Sequence, residues 1–345
     1  MEKNKRILIF NVNWIGDVLF SSATIRNIRR NFPDSYIACV IPSRCYPVLK
    51  DNPHLDEVII FDERDRHKNL LSKFTFAKAL QFKKFDLAIL LHGSLTRALI
   101  VKLAGIPEII GYNTKKRGFL LDKKIKLPKK DSLHRIDFYL NIIEKAGLRV
   151  EDRYLEFFTK EEDGRAADEF LRNEGINEKE LLIGLNPGGN WQPKRWPTEL
   201  WAELADKLIK ELGARVIICG GAQDVSLCKK IKGLMLEKPI IAGGTLNLKQ
   251  SAALFKRFDL FISADTGPLH IANAVGTKRI IALFGPTSIS ITGPFPLKNV
   301  VVIQKNVGCE IPCYVVNCQD NKCMKAITPE EITKEAKSFL EKNAQ

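Results

Sequence analysis

No apolar stretch in this 345-residue chain approaches the ~20 residues that a membrane-spanning helix needs. The amino terminus is basic and then apolar over 6–10. Asn11, Asn13 and Asp17 interrupt that run and no small-residue cleavage site follows, which argues against a secretory leader and makes the cytoplasm the expected location. Low-complexity tracts are absent. The fingerprint G-x-G-x-x-G is missing from both places where it would open a domain, which argues against a nicotinamide dehydrogenase. Aromatic residues are sparse where the chain is most basic, with only Tyr112 and Phe119 nearby, so a stacking platform for single-stranded nucleic acid has thin support.

What the sequence does contain is an ordinary globular composition, 45% hydrophobic and 27% charged, in a chain long enough for two domains of usual size. Its formal net charge is +14, and the excess is uneven. Residues 1–160 carry 30 Lys and Arg against 18 Asp and Glu, whereas residues 161–345 carry 24 against 22. A basic half beside a nearly neutral one points to an anionic partner: nucleic acid, an acidic membrane surface or a phosphorylated acceptor. A merely solvated basic surface is the alternative. Within that half, residues 114–130 hold Lys115, Lys116, Arg117, Lys123, Lys124, Lys126, Lys129 and Lys130 against one acid, Asp122.

Hydrophobic patterning predicts a repeated β-α order. A strand over 6–12 leads through Asn13, Trp14, Ile15 and Gly16 to a helix over 17–31, whose Val18, Ile25 and Ile28 share one face and which Pro33 ends. Strands follow over 36–41, 58–61 and 87–91, with a helix over 70–82 among them, and Ile109 and Ile110 mark one more short strand. These runs are apolar without alternation, which suits strands buried on both faces of a parallel sheet. A helix is expected over 132–147 and a charged one over 161–178. The pattern then restarts, with strands over 181–185, 215–219, 240–241, 260–262 and 280–284 and helices over 198–212 and 248–256. Thr328, Pro329 and Glu331 have the form of a capping box that opens a last helix running to 341. The expected architecture is α/β, with doubly wound domains over 1–160 and 161–327 and a terminal helix within 328–345.

Glycine-rich turns recur after these strands, and in open α/β sheets ligands sit beyond the carboxyl ends. The most informative turn is Ser263-Ala264-Asp265-Thr266-Gly267-Pro268-Leu269-His270. Gly267 permits a sharp bend and Pro268 falls on a first helical turn. Backbone N–H groups and a positive dipole end are then offered to a phosphate, with His270 as a further donor. A plain strand–helix turn capped by Asp or Thr would use the same residues. Asp17 lies on the first turn of its helix, where it either steadies the helix dipole or serves as a general base at the mouth of the sheet. Asn186-Pro187-Gly188-Gly189, followed by Lys194 and Arg195 between Trp191 and Trp196, offers a lysine to a departing diphosphate. The turn from Gly220 to Asp224 could receive a ribose through Gln223 or Asp224. Cys309, Cys313, Cys318 and Cys323 leave zinc, disulfides and free thiols open, although the longer gaps fit a zinc knuckle poorly.

Taken together, these motifs resemble glycosyltransferase family nine, the bacterial lipopolysaccharide heptosyltransferases. The resemblance is carried, in order along nearly the whole chain, by Asn13-Trp14-Ile15-Gly16-Asp17-Val18, by Asn186-Pro187-Gly188 with Lys194-Arg195-Trp196-Pro197, and by Gly221-Ala222-Gln223-Asp224. Asp265-Thr266-Gly267-Pro268-Leu269-His270, Ala282-Leu283-Phe284-Gly285-Pro286-Thr287 and the tail Cys323-Met324-Lys325-Ala326-Ile327 complete it. It implies a GT-B architecture, two Rossmann-like domains facing across a cleft with the last helix returning toward the first domain. It also implies an inverting transfer of L-glycero-D-manno-heptose from ADP-heptose to the inner core of lipopolysaccharide, without a cofactor or metal. Asp17 would be the general base and Lys194 would hold the donor phosphates. Asp265, Thr266, Gly267 and His270, with Gly188, would bind the diphosphate and sugar. Gln223 stands where some relatives carry a ribose-binding Glu, with Asp224 beside it. A carboxylate repels a diphosphate, so Asp265 suits sugar hydroxyls or loop orientation better than phosphate.

The partners so implied are an ADP-sugar, a lipid-linked anionic saccharide and the cytoplasmic surface of the inner membrane. Lys115, Lys116, Arg117, Lys123 and Lys124 are the expected acceptor or membrane contacts. Nucleic acid is not among the partners, because the basic segment carries no recognisable recognition module. A relative using another nucleotide sugar or glycan, a sugar epimerase of the same fold and a basic nucleic-acid-binding protein are the alternatives.

Overall fold

The computed structural model describes residues 4–114, 116–177 and 179–341, in two units that divide between Phe158 and Thr159. The first unit runs β1 (Arg6–Phe10), α1 (Ile15–Phe20), α2 (Ser22–Asn31), β2 (Tyr36–Ile41), α3 (Tyr46–Leu49), β3 (Glu57–Ile60), α4 (Leu70–Phe82), β4 (Leu87–Leu90), α5 (Leu95–Leu103), β5 (Glu108–Tyr112), β6 (Lys123–Ile125) and α6 (Arg135–Lys145). Its strands form one parallel sheet in the order β3-β2-β1-β4-β5-β6. Ile7 of β1 registers with Ile37 of β2 on one side and Leu87 of β4 on the other. The chain therefore leaves the centre of the sheet in one direction and returns to continue in the other. That reversal opens a crevice at the carboxyl ends of β1 and β4, the usual seat of a ligand in such sheets. Ile7 to Phe10 are all essentially buried, each stabilising the fold by roughly 1.5–3 kcal/mol.

The second unit runs α7 (Glu161–Asn173), β7 (Leu182–Asn186), α8 (Thr198–Leu212), β8 (Arg215–Ile218), α9 (Val225–Leu234), β9 (Ile240–Ile241), α10 (Leu248–Phe255), β10 (Leu260–Ala264), α11 (Gly267–Ala274), β11 (Ile280–Phe284), α12 (Ile289–Thr292), β12 (Val300–Gln304), α13 (Lys322–Lys325) and α14 (Pro329–Glu341). Its sheet is again parallel, ordered β12-β11-β10-β7-β8-β9, so here the reversal falls between β7 and β10. Helix α8 turns Trp201, Ala202, Leu204, Ala205 and Leu208 inward at helical spacing and stops at Gly213, whose φ of 65° is left-handed. Helix α10 starts on a capping box in which Asn247 accepts from the amides of Lys249 and Gln250.

Three elements differ from the sequence expectation. The helix expected over 17–31 is two helices, because Ser21 is buried at their junction, where its hydroxyl donates to Val18 O and accepts from Asn11 Nδ2. Strands β6 and β12 were not expected. Both lie at sheet edges, where a run such as Lys-Lys-Ile needs to bury only one side chain. The last helix packs its apolar stripe on α8 of the second unit. Ile332 and Ala336 are fully buried there and Lys337 Nζ lies 2.6 Å from Glu211 Oε2.

Candidate active site

In the first unit, the segment leaving β1 is tied down from two sides. Arg97, buried on α5, donates through Nη1 to Asn11 O and through Nη2 to Asn13 Oδ1, and Nη2 also lies 3.2 Å from Glu63 Oε2. Arg44 donates to Asn13 O at 3.0 and 2.8 Å and places its guanidinium 4.9 Å from the centre of the Trp14 ring. The loop so held delivers Asp17 to the first turn of α1, half-buried. Tyr139 reaches across from α6 and donates its hydroxyl to Asp17 Oδ1 at 3.0 Å. Burial first, then the charge of Asp17, pushes the Tyr139 phenol well above its ordinary pKa, so it remains a protonated donor. A carboxylate with a hydroxyl donor on Oδ1, near the switch point of a parallel sheet, has a placement that suits a general base.

Arg97, Arg44 and Tyr139 carry no sequence signature for these roles. They lie on three separate elements, and only the assembled sheet brings them to one loop. The basic segment is corrected at one position. Arg117, expected to face an acceptor or membrane, is buried and donates to the carbonyl oxygens of Tyr112, His92 and Ser94, with burial lowering its pKa to about 10. Lys116 is exposed, as are Lys123 and Lys124 on the edge strand β6, where Lys123 Nζ donates to Ala146 O. Lys115 lies outside the described residues.

In the second unit, β7 and β10 are neighbours, and Asn186 registers with Ser263 at their carboxyl ends. Asn186 Nδ2 donates to Ser263 Oγ at 3.0 Å and to Thr266 Oγ1 at 3.2 Å, which joins the loop after β7 to the turn before α11. Thr266 is the N-cap of α11 but makes no side-chain cap, so the first-turn amides of this eight-residue helix are not closed off by it. Gly267 has no positive φ, so the bend there does not draw on glycine's left-handed freedom. Asp265, 3% exposed, is the hub. Its Oδ2 is 2.7 Å from Lys194 Nζ and accepts from Thr292 Oγ1 at 3.1 Å, and its Oδ1 is 3.2 Å from His270 Nε2. Burial alone would raise its pKa. The His270 hydrogen bond and the Lys194 charge outweigh burial and hold the carboxyl well below the usual range. Asp265 is therefore ionised and arranges two cationic or donor side chains beside a helix start.

Lys194 is positioned by its own loop as well. Trp196 is buried, packs edge-to-face on Trp201 at 5.0 Å and donates Nε1 to Ile327 O. Lys194 Nζ lies 5.7 Å from the centre of the Trp191 ring. The two tryptophans thus pin a basic loop that would otherwise be a solvated one. Asp224 is buried, and its Oδ2 accepts from the Gly221 amide at 3.0 Å and from Gln223 Nε2 at 3.1 Å. Asp224 thus holds its own loop through Oδ2, and the exposed member of the pair is Gln223. Gly188 packs against the same carboxylate: a Cβ there would come within 2.8 Å of Asp224 Oδ2. Gly188→Ala is accordingly expected to dislodge Asp224 and cost about 1–3 kcal/mol of stability, read as a lower urea midpoint at unchanged m-value.

The four tail cysteines are free and line one small cavity with Pro193, Gly285 and Pro286. Among the described residues, no group of three or more His, Cys, Asp or Glu is placed to hold a metal ion. A larger cavity of about 1060 Å³ opens at the amino ends of β7 and β10, away from these loops. Its lining includes the ion pairs Arg257–Asp168 and Lys278–Asp259.

A sequence model described as Glycosyltransferase family 9 (heptosyltransferase) matches residues 73–323, which takes in every loop of the second-unit site but not Asp17. The lipooligosaccharide heptosyltransferase 2 of Haemophilus ducreyi is 27% identical over 97% of this chain and 99% of its own length. A glycosyl transferase family 9 structure from Veillonella parvula matches with a TM-score of 0.89 at 27% identity, covering 99% of both chains. The structure of E. coli ADP-heptose lps heptosyltransferase II matches with a TM-score of 0.82 at 24% identity, over 99% of this chain and 100% of that one. The fold is accordingly GT-B, with two Rossmann-like sheets.

Proposed function

We propose that this chain, which belongs to glycosyltransferase family 9 and is a glycosyltransferase, moves L-glycero-D-manno-heptose from ADP-heptose to the inner core of lipopolysaccharide with inversion at the anomeric carbon. The observation that carries the reading is the second-unit cluster, in which one buried carboxylate aims Lys194 and His270 beside the start of α11. A lysine has three N–H donors; Asp265 takes one and the others are available to diphosphate oxygens. The relatives named as heptosyltransferases of lipooligosaccharide and lipopolysaccharide support the sugar and the acceptor.

The chemistry is a single displacement. Asp17 takes the proton of the acceptor hydroxyl as that oxygen bonds to the anomeric carbon. The bond from that carbon to the diphosphate oxygen breaks on the opposite face, and ADP leaves with the electron pair. Lys194, His270 and the α11 amides meet the growing negative charge, so this reading calls for no metal. The anionic acceptor suits the basic first half of the chain, and the site of action is the cytoplasmic face of the inner membrane, where the chain is a peripheral protein.

The test is nucleotide release from a panel of nucleotide sugars, run with heptose-deficient lipopolysaccharide as acceptor and with EDTA present. ADP-heptose is expected to exceed UDP- and GDP-sugars in kcat/KM by at least about 100-fold. Comparable use of a UDP-sugar would overturn the donor assignment. Conversion of the donor without any acceptor would favour an epimerase.

A further inference from the structure

Helices α4 and α5 are neighbours in the first unit and both carry large apolar side chains exposed at the surface. On α4, Leu71, Phe74 and Phe82 fall along one outward line at near-helical spacing, with Leu70 beside its start. Leu70 is 84%, Leu71 75% and Phe82 83% exposed. On α5, Leu99 and Leu103 form a second exposed line. Isolated exposed leucines are ordinary, but a set spread over two adjacent helices is a contact surface.

Neither helix contains an acidic residue. Lys73 and Lys78 on α4 and Lys102 on α5 stand among the apolar groups, and Lys102 Nζ also lies 3.8 Å from Asp122 Oδ1. Lys78 Nζ lies 5.6 Å from the centre of the Phe74 ring, so a cationic head sits beside an exposed aromatic face. We propose that this face docks the protein on an anionic lipid bilayer, its leucines and phenylalanines entering the headgroup boundary while the lysines meet lipid phosphates. Apolar side chains spaced along about 18 Å of helix with cations among them suit a flat interfacial layer. A second copy fits poorly, because a two-fold contact would set Lys73, Lys78 and Lys102 against their own equivalents.

The inference deepens the function proposed above, in which the acceptor is held by lipid, and it moves the membrane contact away from the segment where Arg117 is buried. The experiment is flotation of the whole protein with phosphatidylcholine vesicles, with and without phosphatidylglycerol. The wild type is expected to float with the anionic vesicles, and Leu71→Ser/Phe82→Ser to bind them about tenfold more weakly or worse. Lys73→Gln/Lys78→Gln should weaken binding at low salt and make it fall less steeply as salt rises than in the wild type. Both pairs lie on the surface and should keep the wild-type unfolding midpoint. Failure of the wild type to float, or equal flotation of wild type and Leu71→Ser/Phe82→Ser, would overturn the proposal. So would a concentration-dependent dimer in sedimentation that the serine variant abolishes. Transfer to a water-soluble acceptor saccharide should be the same in all of these proteins. Vesicle binding without any transfer would sink the transferase reading and leave the docking face standing.

Discussion

Asp17→Asn should lower turnover about 10²- to 10⁴-fold, the usual share of a positioned general base, while ADP binds nearly as well as to the wild type. Asparagine has almost the same shape, and its Oδ1 can still accept the Tyr139 hydroxyl that lies 3.0 Å from the carboxylate. Loop 11–14, held by Arg97 and Arg44, has no reason to move. What is lost is the ability to take a proton. The residues proposed to bind the donor belong to another sheet in the other unit, so a nucleotide titration is the control. A variant that kept near-normal turnover would take the base assignment away from Asp17. One that lost both ADP affinity and turnover would point to a folding defect, visible in its unfolding midpoint.

How much of this could be read beforehand depends on what kind of fact each residue represents. Strands β2 and β11 match their expected spans residue for residue, because unbroken runs such as Ile-Ala-Cys-Val-Ile have no other stable place than the inside of a parallel sheet. The turn before α11 was legible because strand, small residues, Pro and His follow one another within eight positions. Asp265 was legible as a carboxylate ill-suited to phosphate. Its pairing with Lys194, 71 residues away, was not, since that contact exists only once β7 and β10 lie side by side. Asp224 stood out as a carboxylate in a glycine-rich turn, but its Oδ2 bond to the Gly221 amide and the close approach of Gly188 could not be read from that turn. Arg117 is where the sequence misleads. Counting charge along 114–130 cannot tell a solvated cation from one that three backbone carbonyls have drawn inside.

Lys194→Ala should reduce kcat/KM about 10²- to 10³-fold, comparable to removing one preorganised donor from a developing anion, and should weaken ADP binding as well. Asp265 decides how that loss divides. With its pKa held well below the usual range, Asp265 stays charged at any working pH and keeps Lys194 Nζ at 2.7 Å and His270 Nε2 at 3.2 Å. Because Asp265 cancels one positive charge, the ground-state diphosphate meets a moderated field. The lysine is nevertheless already in place when negative charge moves onto the leaving oxygen. Its loss should therefore fall more heavily on turnover than on ADP affinity. Lys194→Arg should recover little, since a planar fork anchored to Asp265 cannot present its remaining donors where an ammonium does. Asp265→Asn provides the contrast. It keeps both donors on the molecule but releases them, at a stability cost of up to about 3–5 kcal/mol for breaking a buried ion pair. Should Lys194→Ala leave ADP affinity and turnover both untouched, the diphosphate does not sit at α11, and Asp265 holds Lys194 for the fold alone.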